Sequence, residues 1–463
     1  MSRLFPLCMD PFEEFMLSDD LPGYPKSFVL ELMTAGEVDK EAFDRGLVQA
    51  VSRHPLFTAL VKRRIWRRPK WIHAPAVVPQ VIWSKLGEPI EILPDEGIDL
   101  SKEVGVRFYI QVGGGRSRII VLMHHCCCDG IGAIQFLSDV FTGYARHYTP
   151  DAVDLPDFPH IEPKRLLRRG RFEIHRQRGR QRRQFRRMAR RRIMRLLFSS
   201  VAPLAVPSCS APGRGERITF PGILTQTLEK WVYNDLRRLS RQRGVTVNDL
   251  LIRELFLAMR HWNRKYAPGG GRKRLAVMVP TNLRTHEEDG MPAANAVSLT
   301  WSNHHVDECD EPDRLLQSIH DEYEFMKNTR FSALLIKSLR RLRWIPGFLG
   351  GMARHGKIFS TAVFSNIGNP WRIVLNDYPK TEEGHPILGN LVLEDVNSAS
   401  PLPTKTHAAF TVWHTDDKLR VGLRADSRVF SQEHAQALLE TFAGQILSLV
   451  ERQVPREKIR IAA

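Results

Sequence analysis

The run His124-His125-Cys126-Cys127-Cys128-Asp129-Gly130 sets two imidazoles, three thiols and a carboxylate within seven residues. Imidazole, with an ordinary pKa of about 6.5, is mostly neutral near pH 7 and so suits the work of a general base. Such a base takes a proton from an alcohol or amine as it attacks an ester or thioester carbonyl, and the oxyanion that forms needs a donor to stabilise it. The residues just before the run, 118–123 (Arg-Ile-Ile-Val-Leu-Met), are short, branched and apolar, which predicts a strand buried on both faces. Neighbouring side chains at a strand end point in opposite directions. His124 and His125 therefore cannot both face one pocket, and one of them must be structural; the competing reading is that either merely caps the strand. Asp129 suits the N-cap of a helix that starts at Gly130, where glycine fits a sharp turn with close backbone approach. The contiguous Cys126, Cys127 and Cys128 cannot converge on a tetrahedral zinc ion, whose cysteine ligands are usually two to four residues apart. A nucleophilic cysteine beside histidine is a second reading, and small apolar filling is the third and the one preferred.

Elements that would hold this loop are legible on either side of it. Ile131, Ile134, Leu137, Phe141 and Tyr144 recur at three- and four-residue intervals and predict a packed helix after the loop. Ala42, Phe43, Leu47 and Val51 do the same for 39–52, which ends at Arg53-His54-Pro55-Leu56. In the later half, Thr246 with Asp249 three residues on predicts the start of a helix over 246–262. Residues 275–279 read as a strand stopped by Pro280, and 359–364 as another. Residues 407–412 pair with 419–423 across Asp416-Asp417, and 432–451 form a closing helix. Strands and helices mix without strict alternation, so two α/β (α+β) sandwiches fit better than a doubly wound sheet.

The chain has 463 residues, too many for one ordinary core, so two lobes are expected. We place a first lobe at 1–163, a basic crossover at 164–215 that closes in a breaker-rich stretch from Ala202, and a second lobe at 216–463. The net charge of +17 is local: residues 164–195 hold sixteen Lys or Arg against Glu173 alone, a net +15, leaving about +2 elsewhere. Phe185, Met188, Ala189, Ile193 and Leu196 fall near one helical face of that segment, with Arg192 intruding. Such a helix can lie on an anionic membrane surface; nucleic-acid binding and a solvated crossover are the other readings. No aromatic interleaving or nucleic-acid module supports the second of these. No apolar run reaches the ~18 residues of a membrane span, and the first ten residues make a poor secretory signal. Six cysteines, three of them adjacent, are unlike a disulfide framework. A cytoplasmic protein, peripheral at the inner membrane surface through its basic segment, is the expectation.

The run at 124–130 resembles the HHxxxDG signature of the chloramphenicol acetyltransferase-like superfamily, and every fixed position is present. That superfamily includes peptide-synthetase condensation domains, polyketide-associated acyltransferases and bacterial wax ester synthase/diacylglycerol acyltransferases. The resemblance spans most of the chain. Arg53-His54-Pro55-Leu56 resembles an early arginine-histidine helix end, and Thr246-Val247-Asn248-Asp249-Leu250 the TVNDV stretch of the wax ester synthase branch. Pro280-Thr281-Asn282-Leu283-Arg284 resembles a strand end carrying a family arginine, and Ser365-Asn366-Ile367-Gly368 a late turn. The DFGWG box of the plant branch is absent.

The resemblance implies two lobes in a V, the histidine loop at the seam, and a channel admitting a thioester from one side and an acceptor from the other. It makes His125 the base and His124 structural, with Asp129 paired to an arginine, for which Arg284 is the candidate. Asn248, Ser365 and Asn366 are candidates for contacting substrate or oxyanion, against the simpler reading that they form a helix start and a turn. No metal and no bound cofactor are required; an acyl-coenzyme A or phosphopantetheine thioester is the co-substrate. An alcohol acceptor, lipidic alcohols included, is favoured. Amide formation with a separate carrier protein is the alternative, and a non-catalytic interaction module of the same fold is the reading from another class.

Overall fold

The computed structural model describes residues 4–64, 67–90, 97–149, 155–173, 179–207, 222–269, 273–345, 347–354, 358–370, 377–415 and 418–453. The chain opens with β1 (Leu7–Cys8) and α1 (Pro11–Asp19). Asp10 starts this helix: its side chain accepts from the Phe12 and Glu13 amides while Glu13 reaches back to the Asp10 amide, and Pro11 takes the first helical position. Then come β2 (Ser27–Ala35), α2 (Lys40–Arg53), β3 (Ala59–Arg64), β4 (Arg67–His73), β5 (Gln80–Lys85), β6 (Val106–Gly113), β7 (Arg116–His124) and α3 (Gly130–Tyr148). After α4 (Gly179–Phe198) follow β8 (Leu224–Leu228), α5 (Lys230–Arg243), α6 (Val247–Tyr266), β9 (Arg274–Asn282) and β10 (Val297–His305). The rest is α7 (Pro312–Thr329), α8 (Ala333–Leu342), α9 (Phe348–Arg354), β11 (Ala362–Gly368), β12 (Ile387–Leu388), β13 (Leu391–Ala399), β14 (Ala408–Thr415), β15 (Lys418–Ala425) and α10 (Gln432–Gln453).

These elements build two α/β lobes. The first is a six-stranded sheet ordered β12-β13-β2-β7-β6-β5, and the second a six-stranded sheet ordered β10-β9-β11-β14-β15-β8. A small β1-β4-β3 sheet flanks the first. The apolar strand read before the histidines is β7, third from one edge and antiparallel to both β2 and β6, with Ser27 opposite His124. On the first lobe α2 and α3 pack backbone to backbone. A Cβ on Gly46 would lie 2.6 Å from the Val140 carbonyl, and one on Gly143 would lie 2.8 Å from the Gly46 Cα. That contact brings the C-terminal end of α2, with Arg53 and His54, onto α3.

Three expectations change. The interval 216–463 is not all second lobe, because β13 pairs with β2 from Ala399↔Val29 to Val392↔Ala35 and so completes the first sheet. The strand at 275–279 runs on through Pro280 to Asn282 as β9. β11 borders β9 only at Ala362↔Val277 and Val363↔Met278, so the proline lies past that ladder, where its missing N–H costs no bond. The basic interval is not a loose crossover. Arg169 is buried and bonds Glu13 through Nε at 2.6 Å, and Leu166 and Phe172 belong to the first lobe's core. In α4, the Phe185 ring lies 6.0 Å from both Phe325, tilted, and Phe331, edge-on; Ala189 is buried, and Arg192 pairs with Glu322. The described part of the apolar face thus rests on α7 and is not free to enter a lipid surface. The proposed boundary at 215–216 and most of the breaker-rich stretch lie outside the described residues, as does the Asp416-Asp417 turn. Among the described residues no helix is long and apolar enough to cross a membrane.

Candidate active site

β7 ends at His124, and the chain turns into α3 through the run that carries the chemistry. The two histidines are separated by the turn. His124 is fully buried, its Nδ1 accepting from the Cys126 amide at 3.1 Å and its Nε2 donating to Asp20 Oδ2 at 3.2 Å. Burial alone would raise the Asp20 carboxyl, but the His124 hydrogen bond and charge leave it below its ordinary value. His125 leaves the strand: its amide donates to the Lys26 carbonyl at 2.8 Å, and its half-buried ring tilts against Phe28 at 5.1 Å.

The His125 ring is placed to accept a proton. Asn295 Nδ2 donates to the His125 carbonyl at 2.8 Å and stands farther, 3.4 Å, from Nδ1. The ring also hydrogen-bonds to its own backbone, an interaction that favours the protonated ring. We therefore assign the Nδ1 hydrogen to that carbonyl, which leaves the Nε2 lone pair unblocked. Burial pushes the imidazole down to about 4, against the pull of the Asp129 charge, with His124 and Lys26 adding to the fall. The ring is thus neutral across the physiological range.

Asp129 carries both roles open to it from the sequence. Oδ1 caps α3 by accepting from the Gly132 amide at 2.9 Å, while Oδ2 meets Arg284 Nη1 at 2.6 Å and the Ala296 amide at 2.8 Å. Burial would raise this carboxyl, yet Arg284 and the two amides hold it below its usual range. Gly130 departs from expectation. A Cβ there would meet nothing within 4 Å, and the close approach occurs at Gly132, where a Cβ would sit 2.9 Å from the Ala294 carbonyl. The three cysteines are filling: all are fully buried, and burial pushes each thiol well above its ordinary value, so no thiolate is available. Gly105 makes the room, since a Cβ on it would fall 1.9 Å from Cys127 Sγ.

One segment went unread in the sequence. Residues 293–296 (Ala-Ala-Asn-Ala), just ahead of β10, lie along the motif and bond either it or the side chains that support it. The Ala293 amide donates to His54 Nδ1 at 2.9 Å, and His54 Nε2 meets Asp139 on α3 at 3.0 Å. The Ala294 carbonyl accepts from Arg284 Nη2 at 2.8 Å; Asn295 and Ala296 hold His125 and Asp129 as described. Small side chains permit this approach, and only that smallness marks the segment in the sequence. The remaining candidates gather in the second lobe. Asn366, after Ser365 on β11, donates to Asn248 Oδ1 at 3.3 Å and accepts from the Gly368 amide at 2.9 Å, a turn tied to the start of α6.

No family model matches the chain, and no curated protein matches it. Solved structures do. The first condensation domain of the CDA synthetase aligns with a TM-score of 0.65 over 96% of each chain at 15% identity. The trichothecene 15-O-acetyltransferase TRI3 from Fusarium sporotrichioides aligns at 0.66 over 96% of this chain and 94% of its own, with 11% identity. The chain thus shares the fold of this condensation domain and this acetyltransferase. Polyketide synthase associated protein 5 from Mycobacterium tuberculosis shares this fold too, at a TM-score of 0.57, 12% identity and coverage of 96% and 98%. Within that fold, the histidine run lies at the end of β7 in the first lobe and is bonded by Asn295 and Ala296, which lead into β10 of the second sheet.

Proposed function

We propose that the chain is an acyltransferase that moves an acyl group from a coenzyme A or carrier-protein thioester to an alcohol, lipidic alcohols included, with His125 as general base. The observation that supports this reading is the place of the His125 ring: half-buried just past the end of β7, against Phe28, and pushed toward its neutral form by burial. The acceptor O–H bond breaks and its proton passes to Nε2 as the oxygen bonds to the thioester carbonyl carbon. The tetrahedral oxyanion then collapses, the C–S bond breaks, and the departing thiolate takes the proton back from Nε2. Ester, free thiol and neutral imidazole result. The lowered proton affinity of the His125 ring makes that return favourable. Asn366 spends one amide hydrogen on Asn248, so the Ser365 hydroxyl and the remaining amide hydrogens of Asn248 and Asn366 are the candidate donors to the oxyanion. No step asks for a metal or a bound cofactor.

Amide formation on a carrier-bound substrate is the second reading, favoured by the likeness to a condensation domain. The same base would serve an amine. The experiment presents purified protein with a panel of acyl-coenzyme A donors, each with alcohols and amines, and follows thiol release. Release dependent on an alcohol supports the proposal. Release dependent on an amine alone replaces it with condensation, and no release with any pair removes both.

A further inference from the structure

Residues 325–376 contain nine Lys or Arg and no Asp or Glu, a second cationic stretch masked by the larger one at 164–195. Its centre, just past α8 and at the start of α9, exposes three large apolar side chains: Trp344 at 70%, Ile345 at 52% and Phe348 at 36%. An indole and two large hydrophobes left in water on one short connection are unusual in a surface with no partner. Cations surround them. Arg68 of β4 stacks its guanidinium 3.9 Å over the Trp344 ring, and Arg340 and Arg341 end α8. Among the described residues, the acids beside these cations are themselves buried: Glu14 is engaged by Arg343 at 3.1 Å, and Asp10 lies against Gly170.

The tip is firmly based. Ala333, Ile336 and Leu339 bury the inner face of α8, and Arg340 Nη2 donates to the Gly170 carbonyl at 2.6 Å. That bond joins the tip to the stretch holding exposed Lys164, Arg168 and Arg171 and the exposed Leu167. The two cationic segments thus meet beside one apolar tip.

We propose that Trp344, Ile345 and Phe348 form a docking tip for an anionic phospholipid surface, with Arg68, Arg340, Arg341 and the 164–171 cations at headgroup level. Tryptophan favours the membrane–water interface, where its ring is wetted on one side, and cations close to it are drawn to anionic lipid. A guanidinium lying on the indole face brings charge and apolar surface to the same depth. The tip takes the role that the sequence assigned to α4, where Phe185 packs on Phe325 and Phe331 and Ala189 is buried. This inference stands whether or not the acyl-transfer reading does.

The test is co-sedimentation with phosphatidylcholine vesicles with and without phosphatidylglycerol, at low and high salt. The wild type is expected to bind the anionic vesicles, less so as salt rises. The triple variant W344S/I345S/F348S is expected to lose at least tenfold in affinity with an unchanged melting temperature and gel-filtration elution. An α4 variant, R183Q/R187Q/R190Q/R191Q, is expected to keep most of the binding. Should the triple variant fail to fold, Trp344→Ala alone, at a well-exposed position, is expected to lose threefold or more. Undiminished binding by the tip variants overturns the proposal, as does absence of wild-type binding. A fall from dimer to monomer in the triple variant also overturns it, by showing that the tip covers a second copy.

Discussion

His125→Ala is expected to lower kcat/KM for thioester-dependent acylation by about 10²–10⁴ while the protein folds and melts as the wild type does. The change removes the lone pair that takes the acceptor proton. It removes little packing, because the ring is half-buried and its hydrogen bonds to Asn295 and Lys26 run through its backbone. His124→Ala is expected to do the opposite. That ring is fully buried between Asp20 and the Cys126 amide, so its loss leaves a cavity and takes from the part-buried Asp20 one of its partners, which destabilises the fold. Melting curves beside initial rates separate the two. Comparable rates in well-folded His125→Ala and wild type would end the mechanism.

The second large effect concerns the Asp129–Arg284 pair. Removing either partner of a buried ion pair leaves the other uncompensated, and for Asp129→Ala or Arg284→Ala we expect a loss of about 3 kcal/mol. Asp129 has more to lose, because its two oxygens also take the Gly132 and Ala296 amides. The double variant is expected to fall short of the sum by about 1–3 kcal/mol in denaturant unfolding. Strict additivity would mean that the 2.6 Å contact carries no energy. The carboxyl sits below its ordinary value when folded, so its contribution is full above about pH 4 and lost as pH falls further. The same variants should lose turnover even under conditions that keep them folded, because the loop they hold bears His125.

How much of this could be read in advance follows from how each feature writes itself into residue types. The histidine run, the strand before it and the helix after it are local patterns: branched apolar residues, then a cap, then a 3.6-residue period. The α6 start was equally legible, since Thr246 and Asp249 form their capping box within four residues. The 293–296 segment was not, because alanines and a lone asparagine carry no periodic signal and act by letting backbones meet across the lobes. The transfer of β13 to the first sheet was invisible for the same reason, since a strand's pattern names its faces and not its neighbour. The amphipathic face of α4 showed that something covers it, and left open whether that was lipid or, as found, Phe325 and Phe331. Pro280 misled because a proline ends a strand only where its N–H was needed.

The most direct test of the account is the pH dependence of kcat/KM for the wild type with a soluble acyl-coenzyme A and a short alcohol, between pH 5 and 8. This quantity reports ionisations of the free enzyme. Burial pushes the His125 ring down to about 4, so the base stays unprotonated throughout the range and the rate should hold within about twofold from pH 7.5 to 5.5. An exposed imidazole with a pKa of about 6.5 would keep roughly a tenth of its neutral form at pH 5.5. A tenfold fall from pH 7.5 to 5.5, with the protein still folded, would contradict a His125 held neutral as the base.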